Sequence, residues 1–378
     1  MPWQEETCMS LRREFVSLTR SKTVSLSELC RRFNISRPTA YKWLNRAAED
    51  TAERFEDRSR RPSTSPTRTS PEMELAVIHL RQQHNSWGGR KINRVLKERG
   101  HRHVPAPSTI THILHRHGLI QARTTGEGAV YHRFEHEAPN LLWQIDFKGY
   151  FQTQSGRCEP LTILDDHSRY NIILHAMKTT NTVPVKQALT DVFRQYGLPH
   201  RINADNGQPW GSPSARAHGV SQLTAWLIRL GIKISFSRPY HPQTNGKEER
   251  FHRTLKTEVL KGKYFTDLKQ VQRAFDEWRV IYNHVRPHDA LELEVPASRY
   301  QPSTRPYPEI IPDIEYSPDD KVVNVISNGE VRFKRRVLKV SNALTGLPIA
   351  FRQVHDQKNV YDLYFCHHSL GRVDLNQI

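Results

Sequence analysis

Between residues 139 and 300 the sequence switches every few positions between β-type and helix-type patterning, and that alternation admits few folds. LLWQIDFKGYF and LTILDDHSRYNIILHAM read as three β-strands, the last two joined at the Asp166-His167-Ser168 turn. TVPVKQALTDVFRQYG is helical, HRINADNG is a strand ending in a turn, and LTAWLIRLG is helical again. KISFSRP is a further strand, and two long helices follow. Mixed elements of this kind make a single sheet covered by helices, because each must bury its apolar side against another layer.

Within that frame three carboxylates stand out. In LLWQIDFKGYF, Trp143, Ile145 and Phe147 take one face of the strand and Gln144, Asp146 and Lys148 the other. An acidic residue in the middle of so apolar a strand is partly buried and needs a reason. HRINADNG repeats the situation: Ile202 and Ala204 face one way, Asn203 and Asp205 the other, and Asp205 stands where an Asn-Gly turn opens to solvent. HPQTNGKEERFHRTLK (residues 241–256) carries two adjacent glutamates. With Asn245 as helix N-cap, Glu248 occupies the capping-box position that bonds back to the Asn245 N–H. The apolar stripe is Phe251, Leu255 and Val259; Glu248 falls on its edge, and Glu249 lies far around, in line with Arg253 and Lys256. That ridge would also suit a surface ion pair, which is worth little. With Asp146 and Asp205, however, Glu249 completes three carboxylates on separate elements, the ligand set hard divalent cations need for phosphoryl transfer. On this reading Glu248 caps and Glu249 works. Asp165 reads as structural and Asp166 as turn chemistry. Arg286 and His288 either steady DNA or share a helix-ending, packing role with Asn283 to Pro287.

The N-terminal third has a different pattern. Residues 25–46 read as two short helices, with Ser25 and Glu28 as a capping box and Leu26, Leu29 and Phe33 on one face. Asn34-Ile35 is the turn, Ser36 caps the second helix, and Pro38 sits in its first turn. Arg37, Thr39 and Lys42 point outward while Ala40, Trp43 and Leu44 lean inward, the pattern of a helix-turn-helix whose second helix enters a major groove. Any surface helical hairpin shares part of this pattern; the basic second helix favours DNA. Residues 56–71 lack apolar periodicity and read as an extended tether, in which Arg58, Arg60, Arg61 and Arg68 either track phosphates or keep a linker solvated. A helix at 72–84, then SWGGRKINRVLKERG, then PAPSTITHILHRHGLI make a second helix-turn-helix. Its last helix is capped by Ser108, with Ile110, Ile113 and Leu114 inside and Thr109, Thr111, His112 and His115 outside. The HRH clusters at 101–103 and 115–117 lack cysteines at zinc-ligand spacing and read as surface histidines.

After a Pro-rich connector, residues 318–378 are strand-rich. VVNVISNGEVRFKRRVLKV reads as a hairpin turning at Asn328-Gly329, and a small β-barrel is the natural closure. Lys334, Arg335, Arg336 and Lys339 give it a basic face, suited to DNA contact or to plain solubility. The 378 residues, 37% of them apolar, suffice for two to four domains. Lys and Arg outnumber Asp and Glu 56 to 39, a net charge of +17 that points to a polyanionic partner, nucleic acid first. Four dispersed cysteines indicate neither a disulfide framework nor a zinc finger, so a reducing cytosol is the default. The start MPWQEETCMSLRREF has no apolar core of a signal peptide, and no run approaches a membrane span.

WQIDF, NADNG and HPQTNGKEERFHRTLK, followed by YNHVRPHDALELEVPASRY, resemble the DDE transposase and retroviral integrase superfamily. The likeness is strongest to bacterial insertion-sequence transposases with tandem N-terminal helix-turn-helix units, and it takes in EDRSRRP, SWGGRKI and the C-terminal barrel. It implies helix-turn-helix domains at 1–48 and 72–122, linkers at 49–71 and 123–137, an α/β ribonuclease H-like core at 138–302, a connector at 303–317 and an SH3-like β-barrel at 318–378. It implies Asp146, Asp205 and Glu249 as a triad for two Mg²⁺ ions, about 3.5–4 Å apart, with Mn²⁺ as a substitute. Arg253 and Lys256 would contact the element's end DNA. The expected activity is 3′-end cleavage at terminal inverted repeats followed by strand transfer into target DNA. Pairing two ends calls for at least a dimer, in a bacterial cytoplasm at the nucleoid. A catalytically idle DNA-binding regulator and a metal nuclease without joining activity are the rival readings. Two departures are visible: a longer stretch between Asp205 and Glu249, with its excess in PWGSPSARAHG (209–219), and no zinc-binding His-His-Cys-Cys module. No histidine, cysteine or tyrosine nucleophile has an orienting base.

Overall fold

The computed structural model describes residues 7–49, 54–58, 68–120, 135–211, 220–236 and 246–377. Arg60, Arg61 and the cap Asn245 therefore lie outside the described residues. The chain divides into two compact units, residues 1–68 and 69–378. Among the described residues no helix is long and apolar enough to cross a membrane.

The first unit adds a helix to the anticipated pair: α1 (Cys8–Arg20), α2 (Leu26–Arg32) and α3 (Arg37–Ala47). Only Phe15 and Val16 of α1 are buried. The Ser25 hydroxyl accepts the Glu28 N–H and the Ser36 hydroxyl that of Thr39, each at 3.3 Å. Glu28 itself pairs with Arg31 and Arg32. Asn34 turns the chain at φ 50°. Leu29, Ala40 and Trp43 close the core with Phe15 and with Phe55. Arg12 donates to the Phe55 carbonyl at 2.7 Å and to both Asp57 oxygens, so the stretch read as a tether stays on this unit through Asp57.

The second unit begins with α4 (Pro71–Gln83), α5 (Gly89–Glu98) and α6 (Pro107–Arg116), packed around Val77, Trp87, Ile92 and Ile113. Gly89 explains the SWGGRKI motif: a Cβ there would stand 2.2 Å from the Pro107 carbonyl oxygen and 2.6 Å from Thr111 Oγ1. Two expectations for α6 change. Its N-cap is Ala106 without a side-chain bond, so Ser108 is inside the first turn. Thr111 turns back to bond the Pro107 carbonyl at 2.8 Å and faces α5.

The mixed sheet comprises β1 (Trp143–Phe147), β2 (Phe151–Thr153), β3 (Gly156–Asp165), β4 (Asn171–Met177), β5 (Arg201–Ala204) and β6 (Lys233–Phe236). Its order is β2-β3-β1-β5-β6, with β4 also on β3. β1 runs antiparallel to β3 and parallel to β5, and β5 parallel to β6. One strand, β2, exceeds the sequence reading, and β3 starts earlier; Gly156 and Pro160 mask its β-character, although the Pro160 carbonyl still accepts the Lys148 N–H at 3.0 Å. On one face α7 (Thr182–Tyr196) and α8 (Gln222–Arg229) bury Val185, Phe193 and Trp226 against Trp143, Ile145 and Ile163. On the other, α9 (Gly246–Leu255), a π-turn at Lys256–Leu260 and α10 (Leu268–His284) bury Phe251, Phe275 and Trp278 against Leu164 and Leu174. Helices α4 to α6 pack on Ile281 and Val285 at the end of α10.

The C-terminal region is antiparallel sheet, the coarser form of the expected barrel. Strands β7 (Lys321–Asn324), β10 (Pro348–Gln353), β11 (Val360–Phe365) and β12 (His368–Asp374) form one antiparallel sheet, and β8 (Glu330–Phe333) and β9 (Arg336–Lys339) a separate ribbon. Among the described residues no ladder closes them. The hairpin also lies one turn later than expected. Asn328 and Gly329 do take positive φ, but only the Ile326–Glu330 bridge joins the strands there. The paired hairpin turns at Lys334-Arg335, with φ of 45° and 67°. Gly329 is required by contact as well as by φ, since a Cβ would meet Asn342 N at 2.3 Å.

Candidate active site

Parallel pairing of β1 with β5 sets Trp143 opposite Ile202 and Gln144 opposite Asn203. Carried two residues on, that register brings Asp146 level with Asp205 at the C-terminal ends of adjacent strands. The side chains on the opposite faces behave as period two demands: Trp143, Ile145, Ile202 and Ala204 are buried in the core. Asp146 is half-buried, and its carboxyl is pushed up to about 7, first by burial and then by the nearby Asp205 and Glu249 charges. Burial also raises Asp205, against a bond that its Oδ1 accepts from the Gly207 N–H at 3.2 Å. The turn after Asp205 is anchored rather than loose. Trp210 is 2% exposed and packs near Phe147, so the front of the segment read as an excess loop belongs to the core. Residues 212–219 lie outside the described residues.

Helix α9 separates its glutamates. Glu248 is 1% exposed and its Oε2 lies 3.1 Å from Thr162 Oγ1, directly across from Asp146 in the β1–β3 register. The Leu164 N–H also bonds it, and burial, with Asp146 adding to it, pushes its carboxyl well above the usual range. The anticipated bond to Asn245 falls on a residue outside the description; the partners of Glu248 seen here are on β3, with His252 Nε2 of the same helix at 3.5 Å. His252 Nε2 sits 2.8 Å from the same Thr162 hydroxyl, and burial, with Lys148 near, pushes the ring down to about 4, hence neutral. Glu249 is exposed and takes part in no ion pair among the described residues, which removes the surface-pair reading of its ridge with Arg253 and Lys256.

Sequence reasoning missed a buried hub beside this helix. Asp166, 1% exposed, accepts from Gln144 Nε2 at 2.7 Å and from the His136 N–H at 2.9 Å, and pairs with Lys247. Burial alone would raise its carboxyl; Lys247 and these bonds reverse the sign and hold it below the usual range. It fixes the start of α9 to β1 and to the β3–β4 turn. The signal was present as the Asp-Asp doublet, whose second member was read as turn chemistry. Asp165 is structural, accepting from the Asn140 N–H at 2.7 Å and from Ser168. The RPH residues pack: Arg286 pairs with Glu258, and His288, 7% exposed, meets the Tyr282 ring.

Asp146, Asp205 and Glu249 offer hard oxygen donors, and Asp146 is raised by the other two with no protein cation offsetting them, so the set fits a divalent cation in chemistry. Among the described residues no three acidic, His or Cys side chains are yet gathered closely enough to enclose an ion.

The residues expected to contact DNA lie on several elements. Arg37 and Lys42 are exposed on α3, Lys42 leaning on the Trp43 ring at 4.9 Å, whereas the Thr39 hydroxyl is taken up by Ser36 at 2.9 Å. Arg58 pairs with Glu49. Thr109 and His112 are exposed on α6, and Arg253 and Lys256 on α9 and its π-turn. Lys334 bonds Tyr361 at the ribbon tip beside the exposed Arg336.

Comparison with known proteins agrees with this layout. Two family profiles described as integrase core domain match residues 136–242 and 230–296; a homeodomain-like domain matches 39–114 and a helix-turn-helix domain 11–63. The uncharacterized 39.2 kDa protein of insertion element IS476 from Xanthomonas euvesicatoria is 24% identical over 61% of this chain and 65% of its own length. The uncharacterized 31.7 kDa protein of insertion element IS407 from Burkholderia multivorans is 24% identical over 61% of this chain and 82% of its own. The Gag-Pol polyprotein of baboon endogenous virus is 30% identical over 53% of this chain and 11% of its own length.

Proposed function

We propose that this chain, a member of the DDE transposase and retroviral integrase superfamily, binds the terminal inverted repeats of an insertion sequence, cleaves their 3′ ends and joins them to target DNA. The observation that carries this reading is Asp146 on β1, whose carboxyl is raised by burial and by the charges of Asp205 after β5 and Glu249 on α9. The sheet order, antiparallel β3 and β4 beside parallel β1, β5 and β6, supports a ribonuclease H-like core. Asp146, Asp205 and Glu249 would hold the metal, Mg²⁺ by preference and Mn²⁺ as a substitute. Bound there, two divalent ions supply activation of the attacking oxygen and neutralisation of the leaving 3′-oxygen. The chain's own work is positional. Asp146 and Asp205 approach from rigid strands, Glu249 from a helix whose phase is set by Glu248 against Thr162 and by Lys247 against Asp166. Exposed Arg37, Lys42, Thr109 and His112 would read the terminal repeat, while Arg253 and Lys256 hold the end beside the carboxylates. Two ends must be brought together, so the working form is at least a dimer.

The test is end-labelled element DNA with a plasmid target, Mg²⁺ or Mn²⁺, and three proteins. Wild type should cleave and join; Glu249→Gln should do neither while binding the end unchanged; Glu248→Gln should keep measurable activity. Wild type that binds the end and never cuts it with either ion would replace this reading with a DNA-binding regulator. Cleavage without joined product would make it a nuclease.

A further inference from the structure

Two tyrosines stand exposed on segments joined by the β2–β3 turn. Tyr264 is 92% exposed and Tyr150 57%. Each directly precedes a phenylalanine that is turned inward, Phe265 and Phe151, and those two rings pack 6.1 Å apart. Both segments are rigid. The Phe265 and Thr266 carbonyls accept the Gln154 and Ser155 N–H groups, each at 3.0 Å, so the β2–β3 turn is stitched to the loop before α10. Tyr150 is only four residues beyond Asp146, and the Arg157 guanidinium lies 3.9 Å from its ring, steadied by a pair with Glu159. Tyr264 projects over a shallow hollow of about 500 Å³ whose walls include Lys263 and Arg273. Lys261 and Lys269, in the same stretch of chain, are exposed. Of the acids nearby, Asp267 is spent capping α10, accepting the Gln270 N–H at 2.8 Å, and Glu277 lines the hollow itself.

Held aromatic rings beside Lys261, Lys263, Lys269 and Arg273, none of which is in an ion pair among the described residues, suit one partner chemistry: bases stacked on the rings with phosphates on the cations. We propose that Tyr150 and Tyr264, with Lys261, Lys263 and Arg273, form a platform for unpaired DNA strand running from the reacting carboxylates across the β2–β3 turn to the loop before α10. The inference rests on the reading of the chain as a DNA-processing enzyme and adds where a strand opened near the cut would lie. Duplex DNA hides its base faces and gains nothing from the tyrosines, so the platform favours ends with unpaired bases over fully paired ones.

Binding of fluorescent (dT)12, of a paired element end and of the same end with four unpaired bases should be measured by anisotropy with the full chain. Tyr150→Ala/Tyr264→Ala should weaken (dT)12 and the unpaired end by about thirtyfold or more, leaving the paired end within about twofold. Tyr264→Phe should retain binding, and Lys261→Ala/Lys263→Ala should lower the salt slope by about one to two. Wild type that does not bind (dT)12, or a double tyrosine variant that binds it as wild type does, overturns the platform. A tyrosine variant that changes only the sedimentation of DNA-free protein assigns the patch to a protein contact instead and also overturns it. Binding is read without catalysis, so a platform that passes in a wild type that never cuts DNA separates this inference from the catalytic one.

Discussion

Asp166 and Lys247 meet where 1% and 18% of their side chains remain exposed, and neither was given this role by sequence alone. Removing one partner of a buried ion pair leaves the other charge stranded, which costs about 3–5 kcal/mol. Lys247→Met should therefore lower the urea midpoint markedly, whereas Asp166→Asn/Lys247→Met should recover part of the loss, since the two changes share one interaction. Additive losses would mean that the pair contributes no coupling. Glu248→Ala should also be destabilising, by about 2–4 kcal/mol, from the cavity it leaves and the Thr162 and Leu164 groups it abandons. Glu249→Ala, at an exposed position, should stay within about 0.5 kcal/mol of wild type in the same measurement. The contrast is what separates a carboxylate that holds the helix from one left exposed.

At the scale of elements, what could be read from sequence followed the strength of the periodic signal. The face of Asp146 was legible because Trp143 and Ile145 alternate with it, and the contrast between Glu248 and Glu249 because one residue of helix is about 100°. The hairpin at Lys334-Arg335 was not, because two long basic residues at positive φ contradict the preference that pointed to Asn328-Gly329. Nor was the inward turn of Thr111, which depends on how closely α5 and α6 approach. Gly89 sets that approach. Gly89→Ala would place a methyl 2.2 Å from the backbone carbonyl oxygen of Pro107 and 2.6 Å from Thr111 Oγ1, which is itself bonded to that carbonyl. Overpacking of this kind costs about 1–3 kcal/mol. The melting temperature should fall, and affinity for element ends should fall with it, because α6 carries Thr109 and His112 on its outer face. Gly88→Ala is the control: nothing stands within 4 Å of the added methyl, so both quantities should hold. Equal effects at the two glycines would sink the close-approach account.

At the scale of the whole second unit, helices α4 to α6 are joined to the sheet domain by chemistry as well as by contact. Arg90 pairs with Asp289 at 3.2 Å, Arg94 with Glu294 at 2.8 Å, and Ser86 bonds Glu258, which also accepts from Trp278 at 2.8 Å and pairs with Arg286. Beneath these, the fully buried Trp87 belongs to a cluster that continues onto Ile281 and Val285 of α10. A helical bead on a flexible tether would open by itself; this one shares its lower surface with the helix that covers the sheet. Trp87→Ala, which should cost about 3–5 kcal/mol, ought therefore to loosen more than its own helices. Amide hydrogen exchange would read this directly. Protection in α6, in α10 and in β3 should fall together in Trp87→Ala, as they should in Trp278→Ala from the opposite side, because a cooperative unit loses protection as a whole. If Trp87→Ala speeds exchange in α4 to α6 while α10 and β3 keep wild-type protection, the two regions open separately, and a DNA end gripped by α6 would not be held at a fixed distance from Asp146.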